Sequence, residues 1–167
     1  MGSLPMPSPL LVETARNLQP GRALDLACGT GRNAVWLAER GWNVTAVDGS
    51  PTAIETLQKR CPAVDARVAD LEKHEFPIAE SEWDLIVVCH YLQRDLFEPM
   101  KHGVKPGGIA LAIVHMFEPG HERSRFSLQP GELAKYFQGW DILHSYEGKP
   151  RDPGHRRAVA EIVARKK

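Results

Sequence analysis

The stretch LDLACGTGRN, residues 24–33, decides how this chain is read. A short apolar run ends at Ala27, and Gly29-x-Gly31 follows before a helical pattern begins. Glycines there let backbone N–H groups approach a ligand closely, because no side chain stands in the way. The helix that starts at this loop turns its positive end to the same point, which suits a carboxylate or a phosphate. Asp48 closes the next strand-like run, NVTAVD. An acid in that place accepts hydrogen bonds from ribose hydroxyls. Loop and acid together imply a nucleoside-bearing ligand at the point where the strand order switches.

Outward from this stretch, apolar strand-sized runs alternate with helical patterns, which predicts a parallel sheet with helices on both faces. Ser8-Pro9 opens a short leading helix with Leu10, Leu11, Thr14, Ala15 and Leu18 on its inner side. Strands are predicted over 23–27, 43–47, 64–68, 83–89, 108–116, 141–146 and 158–164. Helices are predicted over 33–40, where Gly41 ends the pattern, from Ser50-Pro51 onward, over 93–102 and over 130–138. The last two strands are joined by the turn-rich KPRDPGH and form a hairpin. The fold class is therefore α/β: a single-domain, doubly wound, seven-stranded, mostly parallel, Rossmann-like sheet with an antiparallel C-terminal edge, spanning residues 1–167.

Bulk properties fit one soluble domain. A chain of 167 residues is expected to bury roughly 70% of its unfolded surface. Twenty-one basic residues balance twenty-one acidic ones, so charge gives no reason to propose nucleic acid or an anionic membrane as partner. Runs such as DLIVVC and IALAIV are too short to cross a bilayer. The opening MGSLPMPSPLLVETA lacks a basic start and carries Pro5, Pro7 and Pro9, so it does not read as a signal peptide. Cys28, Cys61 and Cys89 show no metal-like spacing, and no metal site is read from the sequence. They fit a reduced, cytoplasmic protein.

Two cofactor classes compete at the glycine loop. Gly29, Gly31 and Ala34 satisfy the dinucleotide pattern G-x-G-x-x-G/A, which keeps a nicotinamide-dependent oxidoreductase open. A nucleotide-binding module without turnover is a further alternative. Three observations point away from a dinucleotide. Asp25, inside the strand, suits an ammonium or a water network and is unsuited to a pyrophosphate. Asp70, in VADLEKHEF, is a second acid placed to receive an adenine amino group. The length leaves no room for the substrate domain that most nicotinamide enzymes carry.

These residues resemble the class I methyltransferases that use S-adenosyl-L-methionine (SAM) and release S-adenosyl-L-homocysteine. LDLACGTGRNAVWLA is similar to their first motif, NVTAVDGSP to the second, and VADLEKHEFP to the adenine-contacting segment. WDLIVVCHYLQRDL is similar to the fourth strand with its rim, and VKPGGIALAI to the turn into the fifth. Within the class, CGTGRNAVWLAERGWNVTAVD, GELAKYFQGWDIL and the ending VARKK resemble the tellurite-resistance, TehB-type methyltransferases. That subfamily is associated with soft oxyanions or small thiol-like acceptors. It tends to carry a His-Arg pair in the last hairpin, where this chain has Gly148-Lys149-Pro150-Arg151 and then His155-Arg156-Arg157.

The resemblance implies that Ala27, Cys28, Gly29, Thr30 and Gly31 wrap the methionine part of SAM, with Asp25 below and Arg32 and Asn33 beside it. It implies that Asp48 holds the ribose with Gly49 and Ser50 alongside, and that Asp70 and Leu71 meet the adenine. Cys89 and His90 are implied near the sulfonium. Methyl transfer from an activated cationic centre needs positioning and desolvation, with a base only for a protonated nucleophile. His90 is the candidate base, and Tyr91 is the candidate for orienting the acceptor or closing over the cofactor. The bland reading gives His90 a packing role, as it does His115 and the cysteines. Basic residues in the loop 121–125, with Lys149, Arg151, His155 and Arg156, are read either as a cradle for an anionic acceptor or as solvated surface. The expected partner is a small-molecule methyl acceptor, and the expected assembly a monomer or homodimer.

Overall fold

The computed structural model describes residues 6–118 and 127–167, and they group into two compact units that meet in sequence between Pro77 and Ile78. The first unit holds α1 (Pro9–Ala15), β1 (Arg22–Leu26), α2 (Arg32–Glu39), β2 (Asn43–Asp48), α3 (Pro51–Arg60) and β3 (Asp65–Val68). Its strands lie in the order β3-β2-β1 and are all parallel, with Leu24 opposite Thr45 and Ala46 opposite Ala66. Ala23, Leu24, Leu26, Val44, Ala46 and Val47 are buried, the near-continuous apolar run expected of a parallel strand covered on both faces. Helices α2 and α3 pack on these strands through Ala34, Leu37, Ile54 and Leu57.

Local chemistry sets the helix ends. Pro51 occupies the first turn of α3, and the Ser50 hydroxyl accepts from the Ala53 N–H at 3.1 Å, while Lys59 and Arg60 sit at the negative end. Gly41 takes φ +89° and donates to the Ala38 carbonyl at 3.1 Å, which closes α2. α1 differs from this scheme. Its Ser8 makes no side-chain cap, and the Ser8 N–H donates to Asn33 Oδ1 at 2.9 Å.

The second unit contains β4 (Trp83–Cys89), a 3₁₀ turn at Arg94–Leu96, α4 (Phe97–Gly103), β5 (Val104–His115), α5 (Glu132–Lys135), β6 (Asp141–Gly148) and β7 (Val159–Arg165). The strand order is β4-β5-β7-β6. β4 and β5 are parallel, while β7 runs antiparallel to both β5 and β6. β7 lies between two strands and is buried along almost its whole length, whereas the edge strand β6 is mostly exposed.

Expectation and structure differ in a few places. The helix expected over 93–102 begins as a 3₁₀ turn and becomes α-helical only at Phe97. The helix expected over 130–138 shrinks to the four residues of α5. Gly131 at φ +75° breaks the chain before it, and the Glu132 carboxylate turns back to the Gln129 N–H at 3.1 Å. Arg94 and the Tyr136 hydroxyl hold the same carboxylate at 2.6 and 2.7 Å, and the Arg94 hydrogen bond lowers Glu132 to about 2. The fifth strand starts four residues early, at Val104. The basic loop 121–125 lies outside the described residues. No helix among the described residues is long and apolar enough to cross a membrane.

Candidate functional site

In the first unit the chain leaves β1 through three left-handed residues, Ala27, Gly29 and Gly31, at φ +55°, +58° and +86°. Such a path strains any residue with a side chain, so Ala27 in it marks a constrained position. Backbone bonds then fix the loop: Cys28 N–H to the Val47 carbonyl at 2.9 Å and Gly31 N–H to the Cys28 carbonyl at 3.0 Å. Asp48 adds a side-chain brace. Its Oδ1 accepts from the Gly29 N–H and its Oδ2 from the Ser50 N–H, both at 3.0 Å. Sequence reasoning gave Asp48 a ligand role alone. The structure gives it a second one, holding the end of β2 to the glycine loop.

The two glycines are not equivalent. A Cβ on Gly29 meets nothing within 4 Å, whereas one on Gly31 would come within 2.4 Å of the Leu57 side chain in α3. A side chain at position 31 would have to displace the buried Leu57, and Gly29 is the glycine with open space in front of it.

Asp25 lies under this loop, 2% exposed. Burial pushes its carboxyl up to about 7; Arg32 opposes the shift and Asp48 adds to it. Its Oδ2 is buried without a hydrogen-bond partner, and such an atom in a folded protein calls for an explanation. Burial also pushes the Cys28 thiol up, with Asp25 and Asp48 adding to the effect, so Cys28 stays a thiol and is a poor nucleophile. Beside the loop, Arg32 donates to the Met6 carbonyl at 3.1 Å. Asn33 is engaged by Ser8. Both side chains thus tether the segment before α1. Asp70 Oδ1 accepts from the Glu72 and Lys73 N–H groups at 2.9 and 3.4 Å, which makes it the organiser of the turn that buries Leu71.

In the second unit the candidate residues cluster at the end of β4. Cys89 is half-buried. His90 takes φ +61° and is tied to β5 by its N–H to the Ile113 carbonyl at 2.6 Å. Its Nε2 lies 2.7 Å from Oδ2 of Asp152, a carboxylate whose side chain is 3% exposed. The bond fixes the ring, and when Nε2 carries the proton it leaves the lone pair on Nδ1. His155 stacks on His90 with ring centroids 3.7 Å apart and planes 9° apart. His115 stands 5.1 Å from His90, centroid to centroid. Desolvation first, then His90, Arg157 and His155, pull His115 down to about 4, against Glu118. Tyr91 turns its hydroxyl to Gln93 Oε1 at 2.7 Å.

Sequence reasoning singled out His90 and Tyr91 but missed Asp152. The two are 62 positions apart in sequence, and no pattern links them. His155, read either as part of a cradle for an anionic acceptor or as solvated surface, joins a ring cluster. Arg151 and Arg156 stay exposed, and Arg151 comes within 4.0 Å of Glu161.

The chain matches the family described as tellurite resistance protein TehB over residues 8–152. A probable S-adenosyl-L-methionine-dependent methyltransferase TehB of Haemophilus influenzae is 28% identical, covering 94% of this chain and 61% of that protein. Hemagglutinin 1 of Eikenella corrodens is 32% identical, covering 78% of this chain and 47% of the other. The crystal structure of TehB from Haemophilus influenzae superposes with a TM-score of 0.81 at 26% identity, over 94% of this chain and 61% of that one. The likeness shows the α/β, Rossmann-like methyltransferase fold with its antiparallel C-terminal edge. The chain spans about half to three-fifths of the length of these relatives.

Proposed function

Because the chain belongs to the tellurite resistance protein TehB family, of class I SAM-dependent methyltransferase type, we propose that it transfers a methyl group from SAM to a small-molecule acceptor. We take residues 1–167 as one methyltransferase domain. The observation that carries the reading is the unpartnered, buried Oδ2 of Asp25 beneath the glycine loop. A buried carboxylate oxygen without a donor fits the α-ammonium of a methionine moiety, which brings both charge and N–H groups. The same oxygen repels a pyrophosphate, which counts against a nicotinamide dinucleotide.

Residues of the first unit would hold the cofactor. Asp25 takes the ammonium, and the backbone from Ala27 to Gly31 lines the methionine portion. Asp48 retains acceptor capacity for the ribose beyond its two backbone bonds, and Asp70 with Leu71 takes the adenine side. When bound, SAM supplies a methyl group on a sulfonium, already activated for displacement. We assign His90 and Tyr91, which follow β4 directly at its carboxyl end, to the acceptor side. His90 would serve as base for a neutral thiol or amine, and Asp152 at its Nε2 would balance the charge that the ring acquires. An acceptor that arrives ionised, such as a soft oxyanion, needs no such step.

Calorimetric titration with SAM, S-adenosylhomocysteine and NAD tests the cofactor. Binding of the first two and none of NAD is expected; the reverse overturns the reading. Methyl transfer from labelled SAM across thiols, amines, selenite and tellurite then assigns the acceptor, and no transfer to any of them would leave a binding module.

A further inference from the structure

His90, His115 and His155 each offer a ring nitrogen, and these three atoms lie within 4.8 Å of one another. No other group of three or more His, Cys, Asp or Glu among the described residues is so placed. Two facts separate this cluster from ordinary packing of rings. The Nδ1 atoms of both His90 and His115 are buried without hydrogen-bond partners, and a buried polar atom left unpaired costs about 1–3 kcal/mol. Behind His90 stands Asp152, buried and bonded to the opposite ring nitrogen at 2.7 Å. A carboxylate on one nitrogen of an imidazole, with the other nitrogen unpaired, is the arrangement that orients a metal-ligating histidine.

We propose that His90, His115 and His155 form a binding site for a borderline divalent transition metal of the zinc class, with Asp152 orienting His90 from behind. Three neutral imidazoles suit zinc, cobalt, nickel or iron and do not suit magnesium or calcium. They leave the fourth position of a tetrahedral ion to water. Metal–nitrogen bonds of about 2.0–2.1 Å put tetrahedral ligand nitrogens about 3.4 Å apart, so the cluster must close by about an ångström and a half at most. The His90–His155 stack must also splay, because parallel rings point their lone pairs in parallel. His155 sits on the turn between β6 and β7, where such movement is easiest. Among the charged neighbours, Asp152 and Glu118 favour a cation, and Arg157 beside His115 opposes one.

The inference rests on the methyl-transfer reading only in placing His90 on the acceptor's side, since a bound metal takes the lone pair that the base would use. Direct metal titration of the whole chain, without SAM, tests it. Co²⁺ should give the visible bands of a tetrahedral nitrogen–oxygen site at one ion per chain, displaced by Zn²⁺ and erased by a chelator. His115→Asn or His155→Gln should abolish the bands, Asp152→Asn should weaken Zn²⁺ binding by about 10–100-fold, and His102→Gln on α4 should change nothing. His155→Gln, on a half-exposed turn, keeps the test valid should His115→Asn fail to fold. The spectrum of free Co²⁺, bands that survive both histidine substitutions, or a cobalt–thiolate charge-transfer band would overturn the proposal. SAM titration of the same protein fails or succeeds independently, so loss of one reading is distinguishable from loss of the other.

Discussion

The loop after β1 and the turn after β4 begin alike and end in different chemistry. Each leaves its strand through a non-glycine residue in the left-handed region, Ala27 at φ +55° and His90 at φ +61°. After Ala27 the chain continues through glycines, and the space is furnished by backbone N–H groups and by carboxylates, Asp25 and Asp48. At His90 the strained residue is itself the chemical group, and what surrounds it is imidazole and a buried carboxylate. On the proposed function, the first region presents backbone and receives a cation, and the second presents imidazole nitrogens. That proposal separates a place that binds from a place that reacts, and substitutions can pull the two apart.

The largest expected effect is on the second region. In chelator-treated protein, His90→Asn should slow transfer to a protonated acceptor by roughly 10²–10⁴-fold, while SAM affinity stays within a factor of about two. Single-turnover kinetics with SAM titration in parallel reads both numbers. Equal losses in transfer to protonated and ionised acceptors would give His90 a shaping role and dissolve the contrast.

Next in size are the two glycines of the first region. Gly31→Val should destabilise the fold by about 3 kcal/mol or more, since overpacking and left-handed strain act together. Gly29→Ala should cost only about 1 kcal/mol of stability and should weaken SAM binding, because its Cβ enters open space. Thermal unfolding with and without SAM distinguishes them. A Gly31→Val chain that melts normally would mean that Leu57 yields and that the glycine serves the ligand.

Asp48→Ala should weaken SAM by about 1.5–3 kcal/mol, and part of that loss is the released Gly29 N–H. Asp48→Asn keeps an acceptor for one of the two backbone donors and should recover a portion of the affinity. Identical affinities for the two variants would mean that the loop brace contributes nothing to binding.

The smallest effect is a pH dependence confined to the first region. With Asp25 raised to about 7, an ammonium ligand needs the carboxyl ionised, so SAM affinity should fall about tenfold per pH unit below that value and level off above it. The ligand-free chain carries the opposite trend. The folded carboxyl binds its proton more tightly than the unfolded one, at 3.8, so its contribution to stability is full below about 4 and is lost as pH rises through about 7. Asp25→Asn should flatten both curves. A pH-independent affinity in the native protein would remove Asp25 from the ammonium.

The glycine loop was legible in the sequence because its parts are local. A strand, two glycines, a helix start and an acid at the end of the next strand obey spacings imposed by one β-α-β unit. Burial of β1, β2, β4 and β5 followed from apolar runs for the same reason, and β4 ran over the predicted residues, Trp83–Cys89. What failed locally was α5, where a glycine and a carboxylate bonded across the fold to Arg94 outweighed helical periodicity. The histidine cluster was settled only by tertiary structure. His90, His115 and His155 come from the end of β4, the end of β5 and a turn between antiparallel strands, and Asp152 reaches His90 across 62 residues. Sequence fixes which elements form, through periodicity and caps. Which side chains meet at their ends depends on strand pairing and on the register of β5 with β7, where a shift of one residue would turn every side chain to the other face.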